Sequence, residues 1–330
     1  MSNKRVFSGV QPIGKLHIGT YLGALSVWAE NQQNYDNMFC IVDLHALTIP
    51  EAINVADFGR KIKETACIYL ACGIDPGKSS IFIQSNVPEH TELAWILNCI
   101  TPLGWLERMT QYKMKSKQSE SIGTGLLDYP VLQAADILLY DTNVVPVGED
   151  QRQHIELTRD IAQRFNNLFG ETFSLPEALI RKEGARIMGL DDPEVKMSKI
   201  LGEIREGHSI GILDTPEVIK RAVMRAVTDS GNEVRFDKAL PGVVNLLAIY
   251  EVFTKRPRKD IEEHFEGKGY GFLKREVADA VIEGLAPVRE KYDYITKDPD
   301  YVDKVLEQGA YKAKSIASAT LKKVKLALGI

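Results

Sequence analysis

The first half of the chain alternates short apolar runs with longer amphipathic stretches. Residues 5–8, 38–42, 80–84 and 143–147 are rich in β-branched and aromatic side chains with few polar interruptions, the pattern of strands covered on both faces. Between them, Leu16, Tyr21, Leu22, Leu25, Trp28 and Ala29 recur at helical spacing, as do Phe58, Ile62, Ala66, Tyr69 and Leu70. Strand alternating with helix predicts an α/β fold, a Rossmann-like doubly wound parallel sheet. Beyond about residue 193 the β-type runs stop. Residues 216–227, 241–253, 272–291 and 301–328 carry helical texture, and Thr215-Pro216 offers a capping hydroxyl followed by a first-turn proline. The expected organisation is a Rossmann-like domain over 1–195, completed by a last helix at about 292–330, with an all-helical domain over 196–291. The Gly-rich, charged stretch 201–211 reads as a linker.

Composition adds bounds to this picture. With 330 residues and 44% apolar content there is enough chain and enough apolar surface for two cores. The formal net charge of −4 gives no general attraction to nucleic acid, so a polyanion must be met by a local basic cluster. Cys40, Cys67, Cys72 and Cys99 match no Cys-x-x-Cys spacing, which predicts buried, reduced thiols in a cytoplasmic protein and no metal site. No apolar run approaches the roughly 18 residues of a membrane span, and the first residues lack the apolar core of an export signal.

Three segments carry candidate chemistry. In the first, a strand ending at Ser8 leads through a turn containing Pro12 and Gly14 into a helix with His17 and Gly19. A glycine facing a ligand lets a ring or phosphate approach because no Cβ intervenes, while an imidazole and the amides of a helix start suit anions. The second, Pro146-Val147-Gly148-Glu149-Asp150-Gln151, lies where a strand hands over to the helix carrying His154, Thr158, Arg159 and Asp160. Open α/β sheets hold ligands at that edge. The third, Lys196-Met197-Ser198-Lys199-Ile200, follows Asp192-Pro193 and suits a mobile loop offering two ammonium groups to a polyphosphate. Each alone has an ordinary reading, as a packed histidine or a solvated turn. Together they point to a nucleotide site.

In this order the segments resemble the HIGH-type and KMSKS-type motifs of the class I aminoacyl-tRNA synthetases. Within that class the chain is similar to the bacterial tryptophanyl-tRNA synthetase family, through Phe7-Ser8-Gly9-Val10-Gln11-Pro12, Asp43-Leu44-His45-Ala46, Glu107-Arg108-Met109-Thr110-Gln111, the run from Tyr129-Pro130 to Tyr140, residues 145–166, Ala226-Val227-Thr228-Asp229-Ser230 and Glu266-Gly267-Lys268-Gly269-Tyr270-Gly271. The tyrosyl enzymes share the fold, but Asp136 after Ala134-Ala135 and the long run from Gly148 favour the tryptophan branch.

The resemblance implies activation of L-tryptophan by ATP to an adenylate, transfer to tRNA(Trp), Mg²⁺ carried mainly by the phosphates, a homodimer, and anticodon reading by the helical part. It implies that Gln11, Pro12, Ile13, Gly19 and Thr20 underlie adenosine and phosphates, and that Gly148, Glu149 and Asp150 approach ribose and base. Ile187 and Met197 would flank adenine, and the loop of Lys196, Met197, Ser198, Lys199 and Ile200 would close over the phosphates. His17, Lys115, Lys196 and Lys199 would meet the charge that develops in the reaction, with Lys113 and Lys117 beside Lys115. Asp136 would accept the indole N–H between the apolar walls Phe7, Val145 and Val147. That is sound chemistry, because the indole nitrogen is donor-only and an unmatched carboxylate in an apolar pocket is costly. Tyr129, Gln133 and Gln151 would hold the α-amino end, with Gln111 and His45 near the carboxylate.

The chain departs from the family pattern in places. Ile200 replaces the final serine, Leu201-Gly202-Glu203 replaces Asp-Pro-Asn, and the loop is longer through Gly207-His208. Ile13 and Thr20 stand where more polar residues are usual, and Gln133 where methionine is common. The altered loop also suits a paralogue that binds tryptophan or RNA as a regulator. Lys304, Lys312, Lys314, Lys322, Lys323 and Lys325 suit either phosphate contact or a helix packed with its lysines in solvent.

Overall fold

The computed structural model describes residues 4–116, 122–180, 186–228, 231 and 233–330. Strands β1 (Arg5–Val10), β2 (Asp36–Ile41), β3 (Ser79–Ile83), β4 (Val144–Val147) and β5 (Glu177–Ile180) form one parallel sheet in the order β3-β2-β1-β4-β5. Alternate side chains go to opposite faces, as a pleated strand requires. Val6, Phe39, Ile41 and Ile81 join one buried cluster, while Phe7, Met38, Cys40 and Phe82 join the other. That is why these strands are apolar throughout rather than at every second position.

Against the Val6 face lie the first helical run and α1 (Phe58–Ala71); against the Phe7 face lie α2 (Glu89–Ile100), α3 (Thr124–Leu138) and α4 (Arg152–Phe169). The first run begins as Ile18–Thr20, widens to a π-turn over Tyr21–Leu25 and continues as Ser26–Asn31. The C-terminal part holds α5 (Pro216–Arg225), α6 (Pro241–Thr254), α7 (Arg258–Phe265), α8 (Tyr270–Ile295) and α9 (Pro299–Leu328). Thr215 caps α5 by accepting the Val218 N–H, with Pro216 in the first turn as expected.

The boundary near residue 195 is not a gap in packing. The cluster on the Val6 face runs without a break from Phe39 and Tyr69 through Ile212 to Val223, Leu246, Val277 and Leu285. The last helix returns to the sheet: Gly309 presses its Cα on the backbone of Ile81, so close that any Cβ would collide with the Ile81 carbonyl. Lys312–Asp36 at 3.0 Å, Lys63–Asp303 at 2.8 Å and Lys325–Glu92 pin its flanks.

Two sequence expectations need correction. The stretch 201–211 is not a linker: Lys199–Ile204 is helical, and His208, Ile210 and Gly211 are buried against the sheet-bearing half. The cysteines are not uniformly buried, since Cys99 is exposed and Cys72 half-buried. Strand β5 was not foreseen, because Glu177–Ile180 is short and lies at the sheet edge with alternate residues in solvent.

Candidate active site

The carboxyl end of β1 begins one corner of the site. Gly14 takes a left-handed backbone (φ +67°), and its Cα lies on the Lys199 backbone, where a Cβ would stand 2.6 Å from the Lys199 carbonyl carbon. Glycine meets both demands. The Lys15 N–H donates to the Lys199 carbonyl at 3.1 Å, the Ile18 N–H to Ile210 at 2.9 Å, and the Ile212 N–H to Leu16 at 2.9 Å. Lys15 Nζ pairs with Asp214 at 2.7 Å, and Lys199 Nζ donates to the Gln11 carbonyl at 2.9 Å across 188 residues of sequence. The first and third sequence motifs are thereby stitched into one wall.

His17 caps the first helical run. Its Nδ1 accepts the Gly19 N–H at 3.1 Å, which leaves the proton of the neutral ring on Nε2 as a donor. Burial, with help from the positive charges of Lys199 and Lys196, lowers its pKa to about 3, so the ring is neutral at physiological pH. Burial likewise lowers the Lys199 ammonium to about 8. Ile187 and Met197 are both buried, joined by a Met197 N–H to Ile187 carbonyl bond of 3.1 Å, with Ile187 beside Gly19. Pro12 and Ile13 are also buried, so these positions offer a ligand backbone rather than side chain. Thr20 and Ile200 are half-buried, and Ser198 caps the following helical turn by accepting the Leu201 N–H at 3.4 Å.

After β4, Gly148, Glu149 and Asp150 are exposed. Glu149 pairs with Arg152 at 2.7 Å, and Asp150 faces Lys196 at 3.6 Å, which brings the second motif to the third.

A second centre lies beneath the sheet's Phe7 face. Asp136 on α3 is 1% exposed. Its Oδ1 accepts from Gln84 Nε2 and from His90 Nδ1, each at 2.7 Å, and its Oδ2 accepts from His45 Nε2 at 2.7 Å. The other His90 nitrogen meets the Tyr140 hydroxyl at 2.7 Å. Burial alone would raise the Asp136 pKa, but His45 and His90 overcome it and hold the carboxyl well below its usual range. The carboxylate expected between apolar walls is in addition held by three side chains. Sequence reasoning missed Gln84 and His90, and it named His45 only for the side of the substrate carboxylate, while its Nε2 here meets Asp136. A histidine on the buried face of α2 and a glutamine following β3 were the available signals.

Phe7 stacks on Tyr140 with ring centroids 5.5 Å apart, Val145 is buried and Val147 half-buried beside them. The Tyr129 hydroxyl meets His154 Nε2 at 2.8 Å, and burial raises its phenol to about 12. Gln11, Gln111, Gln133 and Gln151 are half-buried, with Gln11 Nε2 donating to the His45 carbonyl at 3.2 Å and so linking the two centres. The Lys115 side chain, Lys117, Asp229 and Ser230 lie outside the described residues. Among the described residues no group of three or more His, Cys, Asp or Glu side chains could hold a metal ion, and no helix is long and apolar enough to cross a membrane.

Comparison with known proteins returns the same region of protein space. A family model described as tRNA synthetases class I (W and Y) matches residues 2–286. A tryptophan–tRNA ligase from Wolinella succinogenes is 53% identical over 331 residues, covering 100% of each chain. Among solved structures, a tryptophanyl-tRNA synthetase from Mycoplasma pneumoniae aligns with a TM-score of 0.90 at 34% identity over 99% of this chain and 98% of its own. One from Campylobacter jejuni, complexed with ADP and tryptophan, aligns at 0.84 and 36% identity over 99% of this chain and 100% of its own.

Proposed function

The chain belongs to the class I tRNA synthetases of the tryptophan and tyrosine group, and we infer that it is a tryptophan–tRNA ligase: it activates L-tryptophan with ATP and passes the product to tRNA(Trp). The observation that carries the amino acid is Asp136, a buried anion aligned by Gln84, His90 and His45 on the face that holds Phe7 and Val145. Its Oδ2 keeps acceptor capacity beside the single His45 bond, and an indole N–H can fill it. Phenylalanine brings no donor and leaves that capacity unmet.

Activation needs no protein nucleophile. The tryptophan carboxylate attacks the α-phosphorus in line, breaking its bond to the bridging oxygen so that pyrophosphate leaves and tryptophanyl-adenylate forms, and the protein positions both substrates and meets negative charge. His17 offers a neutral Nε2–H, which stays a donor because burial keeps the ring from titrating near pH 7. Lys196 and Lys199 flank the same corner, and ATP phosphates replace the Gln11 carbonyl and Asp150 as their partners. Backbone at Gln11, Pro12 and Ile13, with the open face of Gly19, leaves room for the nucleotide; Gly148, Glu149 and Asp150 form its far rim. Lys115 completes the basic set. Tyr129, Gln133 and Gln151 meet the ammonium of tryptophan, with Gln111 on the carboxylate side. A Mg²⁺ ion bound with ATP would help neutralise phosphate charge and would be held mainly by the phosphates, since among the described residues no group of three or more His, Cys, Asp or Glu side chains could hold a metal ion.

Residues 196–291 act as the anticodon-reading part, with residues 292–330 completing the catalytic half. Of the C-terminal lysines, Lys312 and Lys325 are committed to Asp36 and Glu92, and Lys304, Lys314, Lys322 and Lys323 remain exposed for tRNA phosphates. A second copy covers the apolar groove of about 300 Å³ where Leu44, Leu47, Ala94, Trp95 and Leu132 meet, since Leu47 and Trp95 are 55% and 70% exposed. Four free cysteines suit the reducing cytoplasm. The test is exchange of labelled pyrophosphate into ATP. A tryptophan-dependent signal, absent with tyrosine, is expected; no signal from folded protein overturns the reading and favours the non-catalytic paralogue.

A further inference from the structure

The loop that departs from the family pattern carries a buried histidine, paired with the half-buried Asp191, that the proposed reaction does not use. His208 is fully buried, and its Nε2 accepts the Ser198 N–H at 3.2 Å. Because that nitrogen accepts, the neutral ring carries its proton on Nδ1, which donates to Asp191 Oδ1 at 2.5 Å. Asp191 thus fixes the tautomer and the ring plane. Gly189 makes space for the ring: a Cβ there would stand 2.5 Å from His208 Cε1. The Leu190 N–H donates to the His208 carbonyl at 3.0 Å, so the ring is held from its backbone side too.

The group that His208 grips is the backbone between the two phosphate-facing lysines. Ser198 lies between Lys196, which reaches Asp150, and Lys199, which reaches the Gln11 carbonyl, and its own hydroxyl caps the turn that follows. We propose that His208, oriented by Asp191, is a positioning residue for ATP: it latches the Ser198 amide and thereby sets where Lys196 and Lys199 present their charges. The longer loop through Gly207 delivers the histidine to this spot, with Gly202 packed on Ser209 and Glu203 paired with Lys61 to hold the turn. The inference rests on the nucleotide part of the proposed function and is independent of which amino acid is activated.

Two measurements on the full-length protein separate the possibilities: calorimetric binding of Mg-ATP without amino acid, and tryptophan-dependent pyrophosphate exchange. For His208→Ala the Kd and KM for ATP should rise about tenfold, the size of one buried bond to a backbone amide, while the KM for tryptophan stays within twofold. Gly189→Ala, which displaces the ring without removing it, should reproduce that split and serves if His208→Ala does not fold. His208→Gln, which keeps an acceptor for Ser198, should recover most of the ATP affinity. An unchanged ATP Kd in His208→Ala and Gly189→Ala overturns the latch, as does an equal rise for both substrates that His208→Gln fails to rescue. Absence of exchange in the parent, with normal ATP binding, overturns the proposed reaction instead and leaves the calorimetric test of the latch intact.

Discussion

The two centres of the site are built on opposite principles. Around Asp136 the polar groups are fixed in place: three side chains hold the carboxylate, leaving acceptor capacity only on Oδ2, and Tyr140 holds one of the holders. Around His17 the groups are placed but underused, with an Nε2–H unspent and two lysines resting on a backbone carbonyl and an exposed carboxylate. A preorganised anion discriminates, because any ligand must match what is fixed. A corner of loosely partnered cations accommodates charge that moves during phosphoryl chemistry. On the proposed reading, selection and activation are separated by a single strand end, with Gln11 bonded to His45 on one side and to Lys199 on the other.

Removing the fixed anion should have the largest effect. Asp136→Ala leaves His45, His90 and Gln84 facing one another without an acceptor, and about 3–5 kcal/mol of stability should be lost, read by chemical denaturation. Tryptophan activation should fall with it. Unchanged stability would mean that the three partners are not held by Asp136.

Acid stability sharpens the comparison next. The folded pKa of His17 lies at about 3 against 6.5 unfolded, so as pH falls below 6.5 the unfolded chain binds a proton that the folded chain refuses. Stability should therefore decline as pH falls from 6.5 to about 3, by an amount on the order of 5 kcal/mol in all. Asp136 acts in the other window, below the usual carboxylate range, since its folded pKa is depressed. His17→Gln should flatten the upper slope and leave the lower one. Denaturation curves at several pH values check both.

Lys199→Ala should cost about 3 kcal/mol of transition-state stabilisation, or roughly a hundredfold in kcat/KM for ATP. In the parent the same parameter should fall as pH rises through about 8, because the free ammonium loses its proton there. A flat profile would remove Lys199 from the phosphate site. The smallest change comes from Tyr140→Phe, which deletes one bond to His90 and should cost about 1 kcal/mol of stability, with a modest rise in the KM for tryptophan.

How much of this was legible follows from where each part lies in the chain. The proposed nucleotide corner could be named from the sequence because its residues are contiguous, Gln11 to Thr20 and Lys196 to Lys199, and the structure brings the two strings together. The sheet and its two-sided burial were readable from apolar runs for the same local reason. Asp136 could be named from the sequence, but its partners could not: Gln84 follows β3, His90 lies on α2 and His45 follows β2, and only tertiary folding brings them within 2.7 Å. The π-turn at Tyr21–Leu25 has no propensity signature. The stretch 201–211 misled because glycines and charges look like a linker until Gly202 and Gly211 are seen to admit close neighbours.

The most direct test of the selection by Asp136 compares tryptophan with its benzothienyl analogue, in which sulfur replaces the N–H and little else changes. In pyrophosphate exchange the parent should favour tryptophan by about a thousandfold or more in kcat/KM, as a site built to pair one polar group does. Asp136→Leu, which replaces the anion with an apolar side chain of similar size, should bring the two substrates close to parity. Equal use of both by the parent, or an unchanged preference in the variant, would contradict the assignment.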